Sequence, residues 1–456
     1  MKKVSIRILN PLWQEVRKEA LSSRTKESVA FVTAKYFETS DKIVFLAENM
    51  VPAKAKDYLY RGEYHLEVSP LYVNRVLNVA EYLKNTVIMV HSHPFENGIP
   101  NYSISDDTGE EMTSGTISEC LNENPPVGSL LISRTSVLAR GWLGLSKDCI
   151  PATVNIIDRN AFHLNGHDSS MTNLTTSSLV DRQVRALGAS AQTQLESMEI
   201  GIVGLGGTGS AVAEQLVRMG IKKLQIVDHD KFEPSNWSRF YGSTWKDTLK
   251  TNYKVDIINS HLKEINPNID VKKIKKSVMT KEALKSLSNC DIIFSCLDRH
   301  APRAVLNELS YQCFIPLIDV GVGLVKNHKN IIDGTARATV VGPGLPCLLC
   351  QEIVRSEMIT AEHLSPHEYE SRRAEGYVNN LDQNAPSVIS YTSLASSLGL
   401  IMFLDLISGK SSDSNSTLIF DLRSKEIIKL RSSIKEDCVC QKRVGKGFSI
   451  PFSVAD

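Results

Sequence analysis

The stretch EIGIVGLGGTGSAVAEQLVRMGIKKLQIVDHDKFEPSNWSR, residues 199–239, constrains this chain most. A short apolar strand, Ile200–Val203, leads into Gly204, Gly206, Gly207 and Gly209. A helix follows over 210–219, with Ala211, Val212, Leu216 and Met219 on one face, and a second strand over 224–227 ends at Asp228 and Asp230. Glycines are required where the backbone must turn tightly and let phosphates approach. The unpaired N–H groups and dipole of the helix start favour those phosphates. Asp228 stands about 20 residues beyond the turn, where a ribose hydroxyl is usually read.

A glycine turn alone would suggest NAD. The residues after it do not: Asn236 and Arg239 form Ser-Asn-x-x-Arg, Lys254 follows, and SCLDRHAPR brings Asp298 and Arg303. Hydride transfer has no need of these groups, whereas a triphosphate with Mg²⁺ does. Over about 179–440 this set resembles the ubiquitin-activating family in its ThiF/MoeB-like form. The resemblance implies ATP as cofactor, Gly207 against the nucleotide, Asp228 on the ribose, and Asn236, Arg239 and Lys254 around the phosphates. It implies Asp298 as the magnesium residue, with Arg303 ordering the site. It also implies that Arg182, in the pair Arg182-Gln183 and 22 residues before Gly204, reaches a partner subunit's nucleotide across a homodimer; Arg182 is preferred here to Arg185. The chain departs from the family at Arg299, where Asn is usual, and at Phe240, where Gln is usual.

With 456 residues, 42% of them apolar, the chain has room for two or three domains. Its net charge of +1 leaves no electrostatic footprint for nucleic acid or an anionic membrane. The first residues, MKKVSIRILNPLWQEVRK, lack the apolar core of a signal peptide, and nine cysteines suit a reducing compartment, so a cytoplasmic location is expected. Residues 387–407 are apolar enough to suggest a membrane span. Asp405, the hydroxyl residues and the absence of basic flanks favour a buried helix instead.

Residues 1–150 read as a separate α/β domain. Helices are expected at 11–22 and 71–83, and strands at 28–33, 43–48 and 86–90. The last strand runs into His91-Ser-His93-Pro94, followed by Ser103-Ile-Ser-Asp106. Two histidines at i and i+2 leave a strand end on the same side, and an aspartate from the next loop completes three ligands. Three protein ligands with an open fourth position mark a catalytic zinc site, which lowers the pKa of water. Glu27, just ahead of the strand at 28, is the candidate base for the water's proton, and Ser103 the candidate oxyanion donor. Glu, H-x-H-P and S-x-x-D together resemble the JAMM (MPN/JAB) metalloprotease family. The gap to Ser103 is two residues longer than the family's, and Asp107 is a rival third ligand.

Residues 151–178, including SSMTNLTTSS, read as a linker, 179–445 as the activating domain and 446–456 as a tail. Cys347-x-x-Cys350 with Cys438-x-Cys440 reads as a structural zinc site, a feature the resemblance shares. The charged segment 353–387 corresponds to the family's crossover loop and holds no cysteine. Of the other cysteines, Cys290, Cys296 and Cys313 lie in apolar runs and are expected to be buried; Cys120 and Cys149 remain.

The expected protein is therefore an α/β, two-headed enzyme. A JAMM-type zinc isopeptidase domain precedes a Rossmann-like adenylation domain with a mostly parallel sheet. Its expected partners are a ubiquitin-like protein and a conjugating-enzyme-like protein. The resemblance implies a compact bacterial conjugation system, with antiviral defence among its expected roles. Activation of a sulfur carrier for cofactor synthesis, and a recruiting scaffold without catalysis, are the rival readings.

Overall fold

The computed structural model describes residues 2–158, 161–166, 178–326, 332–365, 367–369, 371, 386–409 and 416–453. The chain divides into two compact units, one mainly Met1–Asp158 with Gly445–Ile450, the other mainly Thr175–Val444.

In the first unit, in chain order, are β1 (Lys3–Leu9), α1 (Asn10–Ala20), β2 (Val29–Glu38), β3 (Lys42–Pro52), β4 (Tyr58–Arg61), β5 (Leu66–Val68), α2 (Pro70–Leu83), β6 (Thr86–Ser92), α3 (Ile104–Cys120), β7 (Val127–Ile132), β8 (Val137–Trp142), β9 (Cys149–Ile157) and β10 (Phe162–Gly166). The sheet order is β1-β3-β2-β6-β7-β8-β9-β10. A further β1–β9 pairing curls the sheet back on itself. β6 is buried along its whole length between β2 and β7, which explains why TVIMV reads as continuously apolar. One core cluster packs Trp13 and Val16 of α1 on one face of the sheet. A second packs Tyr72 and Val76 of α2 and Ile117 of α3 on the other.

The expected linker begins too early. Residues 151–157 belong to β9, whose Ala152, Val154 and Ile156 alternate into the core and pair in parallel with β1; β10 then pairs antiparallel with β9. This period of two was masked by the polar residues around it. Residues 167–177 lie outside the described residues. The expected tail also differs, because Gly445–Ile450 joins the first unit, where Phe448 meets Phe37 edge to face at 5.1 Å.

The second unit contains α4 (Asp181–Leu187), α5 (Ala189–Ser197), β11 (Glu199–Val203), α6 (Gly207–Arg218), β12 (Lys223–Val227), α7 (Lys254–Ile265), β13 (Asp270–Ile274), α8 (Lys281–Leu287), β14 (Ile292–Ser295), α9 (His300–Cys313), β15 (Leu317–Lys326), β16 (Ile332–Val341) and α10 (Ser356–Glu362). The long helix Ile389–Ser408 and strands β17 (Ser416–Asp421) and β18 (Ile427–Arg431) follow. Five strands run parallel in the order β13-β12-β11-β14-β15, and β16 to β18 continue the sheet antiparallel. The order reverses between β11 and β14. Such a switch point opens a crevice at the carboxyl ends of the strands.

The helix Ile389–Ser408 is long and apolar enough to cross a membrane by length and composition. Here it packs within the unit: a Cβ on Gly399 would come within 2.7 Å of Val320 on β15, and Ala395 and Phe403 are fully buried.

Candidate functional sites

The first site lies at the end of β6. His91 still pairs with Val29 of β2, and His93 follows the strand's last residue, so both rings leave the same edge. Ser103 caps α3: its hydroxyl accepts from Asp106 N–H at 3.1 Å, while Asp106 Oδ2 accepts from Ser103 N–H at 2.7 Å. This reciprocal box is a local sequence signal, and it also aims the Asp106 carboxylate. Ligand atoms of His91, His93 and Asp106 all lie within 4.8 Å of one another. His91 Nε2 stands 3.5 Å from Asp106 Oδ1, and His93 Nε2 stands 3.4 Å from Asp106 Oδ2 and 3.6 Å from Glu27 Oε1.

Two nitrogens and a carboxylate are a zinc donor set. The fit is supported by His91 Nε2, which is buried with no hydrogen-bond partner, a costly state for a polar atom that a cation would relieve. Asp107 is not part of the cluster, because its carboxylate pairs with Arg140 Nη1 at 2.6 Å. Burial alone would raise the Asp106 carboxyl, but the imidazoles of His91 and His93 beside it hold it below the usual range. Burial raises the Glu27 carboxyl, with His93 and His91 opposing. Gly62 O and Arg61 Nε bond the Glu27 backbone, at 3.0 and 2.8 Å, and hold it beside His93.

Sequence reasoning missed the groups behind the histidines. Glu96 Oε1 lies 3.1 Å from His93 Nδ1, and Glu110 Oε1 lies 3.4 Å from His91 Nδ1. A carboxylate beside each Nδ1 favours the tautomer that leaves Nε2 free as a ligand. Glu110 also accepts from Ser129 Oγ, Arg140 Nε and Trp142 Nε1, at 2.5, 2.7 and 3.1 Å. Arg140 sits 3.6 Å over the Tyr102 ring. Only Glu96, three residues from His93, carried a local signal.

The second site occupies the switch-point crevice. Gly204 has φ +86°, and a Cβ there would lie 2.7 Å from Cys296 O. A Cβ on Gly209 would lie 1.9 Å from Gly204 O, and one on Gly207 would lie 3.1 Å from Arg239 O. Gly206 meets nothing within 4 Å. These close approaches explain the glycine run and seat Arg239 over the start of α6.

Asp228, buried at the end of β12, accepts from Leu205 N–H at 2.6 Å and from Asp230 N–H at 2.8 Å. It thereby braces the glycine turn, a role that the ribose expectation did not include. Burial raises its carboxyl, with Lys254 opposing. Lys254, first residue of α7, reaches Asp230 Oδ2 at 2.7 Å. Arg239 Nη1 donates to Ser235 O at 2.8 Å, and Asn236 Oδ1 accepts from Glu233 N–H at 3.2 Å.

Asp298 is exposed in the loop between β14 and α9. The same loop is anchored by Glu362, whose carboxylate accepts from His300 and Ala301 N–H, both at 2.8 Å. Phe240 is a core residue, edge to face with Phe232 at 5.4 Å. Arg182 is exposed on α4, whereas Arg185 is paired with Asp181 at 2.8 Å. In the segment expected to cross over the site, 372–385 lie outside the described residues.

A third cluster joins Cys347, Cys350, Cys438 and Cys440. Sulfur separations are 3.6 Å for Cys347–Cys350, 3.5 Å for Cys347–Cys438 and 3.9 Å for Cys350–Cys440. Tetrahedral ligands at about 2.3 Å from an ion stand about 3.8 Å apart, so the four fit zinc. The hydrogen bond with Cys440 lowers the Cys347 thiol, toward the thiolate a metal needs. Cys290 and Cys313 are buried as expected. Cys296 is half-buried at the residue level, and its thiol is pushed up by burial.

An adenylyltransferase and sulfurtransferase of Aspergillus niger is 29% identical over 167 residues, 37% of this chain and 34% of that protein. The sulfur carrier protein ThiS adenylyltransferase of Bacillus subtilis is 29% identical over 164 residues, covering 36% and 46%. Ubiquitin-like modifier-activating enzyme 5 of Xenopus laevis is 30% identical over 153 residues, covering 30% and 38%. The chain thus spans less than half the length of these curated relatives. Among solved structures, MccB of E. coli aligns with a TM-score of 0.46 at 18% identity, over 58% of this chain and 75% of that one. The ThiF family matches residues 180–439, more than half of the chain, and this chain belongs to that family.

Proposed function

We propose that the second unit uses ATP and Mg²⁺ to adenylate the C-terminal carboxylate of a small ubiquitin-like or sulfur-carrier-like protein. What supports this reading is the glycine turn at the switch point with Arg239 packed over Gly207, together with Lys254 beside Asp230 after β12 and Asp298 in the loop after β14. The carboxylate oxygen would attack the α-phosphorus, and pyrophosphate would leave. Two anions must meet for this, so Arg239 and Lys254 are placed to offset their charge, while α6 presents its N–H groups to phosphate. Asp230 holds the Lys254 ammonium until phosphate competes for it. Asp298 would hold Mg²⁺, which shields phosphate charge when bound. Arg182, exposed and unpaired with Asp181, would serve a partner subunit's nucleotide in a homodimer.

For the first unit the reading is a JAMM-type zinc isopeptidase that trims or releases the same carboxylate. His91, His93 and Asp106 would hold Zn²⁺, which supplies Lewis acidity and acidifies water when bound. Glu27, raised by burial, is placed to accept a proton beside His93. Among the described residues the Ser103 hydroxyl only accepts, from Asp106 N–H, so its hydrogen would be offered to a substrate oxygen. A conjugating-enzyme-like protein would be the next acceptor of the activated chain.

The test is pyrophosphate–ATP exchange with a candidate ubiquitin-like protein, run with the parent and Asp298→Ala. Exchange by the variant at the parent rate would remove the magnesium role. Glu27→Gln should keep its metal, lose cleavage of a C-terminally extended precursor, and still activate the trimmed form.

A further inference from the structure

Beyond the glycine turn, a second charged cluster faces the same carboxyl edge of the sheet. Ser295 and Asp319 are the last pair of the β14–β15 ladder, and Gly321 of β15 pairs with Arg337 of β16 two residues further on. Arg303 joins them from the first turns of α9. Asp319 is fully buried; it accepts from Ser295 Oγ at 2.7 Å and Arg337 Nη2 at 2.5 Å, with Arg303 Nε at 3.4 Å.

Among the described residues, two guanidinium groups therefore share one carboxylate, which leaves one positive charge uncompensated. Among the described residues no other carboxylate is in ion-pair range of either arginine; Glu362 pairs with Arg299. Among the described residues, Arg303 Nε and Arg337 Nη1 are buried with no hydrogen-bond partner, the Arg303–Asp319 pair being an ion pair at 3.4 Å. Burying an unbalanced charge is costly, so this arrangement calls for an anion. Both guanidinium groups keep an edge open to solvent, with side chains 11% and 13% exposed, and they pack over the backbone of Gly321, where a Cβ would stand 2.9 Å from Arg303 Nη2 and 3.2 Å from Arg337 Nη2.

We propose that Arg303 and Arg337 form the subsite that holds the carboxylate of a peptide tail as it enters the crevice, an assignment that rests on the adenylation reading above. A carboxylate there would balance the second guanidinium and satisfy the unpaired donors. It would also hold the acceptor at the strand ends from which the glycine turn and Asp298 emerge.

The experiment titrates the full chain, in Mg²⁺ and a non-hydrolysable ATP analogue, with a short synthetic peptide ending in a free Gly-Gly carboxylate and with its C-terminal amide. The acid should bind more tightly than the amide by about tenfold or more, the scale of a charged hydrogen bond. Arg303→Met and Arg337→Met, each compared at saturating analogue, should erase that preference. Should either variant fail to fold, Gly321→Ala displaces the guanidinium groups by another route and should do the same. Equal affinity for acid and amide, no binding of the acid at millimolar concentration, or an undiminished preference in the folded variants would overturn the subsite. A parent chain that binds no analogue would remove the adenylation reading, and the subsite with it.

Discussion

The metal-ligand cluster of the first unit and the crevice of the second solve opposite problems. The first holds its functional atoms in place from the start. His91 and His93 are buried, a strand end sets their direction, and Glu96 and Glu110 stand behind the rings. The second is rigid only in its backbone, at Gly204, Gly207 and Gly209. Apart from the buried Asp228, its charged side chains are partly or fully exposed, and the cations are occupied with neighbours: Lys254 with Asp230, Arg239 with Ser235. A small cation needs ligands fixed to fractions of an ångström, whereas a triphosphate is large, flexible and multiply charged. Backbone shape plus mobile cations suit the latter.

The comparison breaks most visibly at the glycine turn. Gly209→Ala should cost on the order of 3 kcal/mol in urea unfolding, because the added methyl meets a backbone oxygen. It should also abolish binding of an ATP analogue, while Gly206→Ala, where a Cβ meets open space, should be mild. Equal effects would mean that backbone crowding does not define this site.

Next come the metals. Metal analysis of the parent should give about two zinc ions per chain. His93→Ala should lose one and keep the other, and Cys347→Ser the reverse. Loss of both in either variant would show that the two sites are not independent.

Asp298→Ala should slow pyrophosphate exchange by about a hundredfold with zinc content unchanged. The smallest effects sharpen the contrast. Glu96→Ala should weaken zinc binding by about tenfold in a chelator competition, since it acts only through His93. Asp107→Asn should leave zinc affinity where it was, because that carboxylate is spent on Arg140; a tenfold loss there would return Asp107 to the ligand set.

Local chemistry made much of this legible in the sequence. The glycine turn and the Cys347–Cys350 pair each act over a few residues, so their spacing alone signals them; the Ser103-x-x-Asp106 spacing was read for its metal chemistry, and that it also caps α3 came from the structure. The β-rich run 86–90 announced the strand that ends at His91 and His93; its burial between β2 and β7 came only with the fold. What a residue touches across the fold was not legible. Asp106 and Asp107 are adjacent and chemically alike; only Arg140, 33 residues on from Asp107, separates their roles. Residues 151–157 read as a linker until β1 supplied the pairing partner that makes them a strand.

The sequence by itself determined the chemistry on offer: a phosphate-accommodating turn, a donor set for zinc, a cysteine quartet. Only the tertiary structure decided which groups share a site. It brought Glu27 to His93, Cys438 and Cys440 to Cys347 and Cys350, and Arg303 and Arg337 to one buried carboxylate. The physical reason is range. Turns and caps are governed by backbone geometry within a few residues, whereas the state of a buried charge depends on neighbours that sheet pairing supplies from distant parts of the chain.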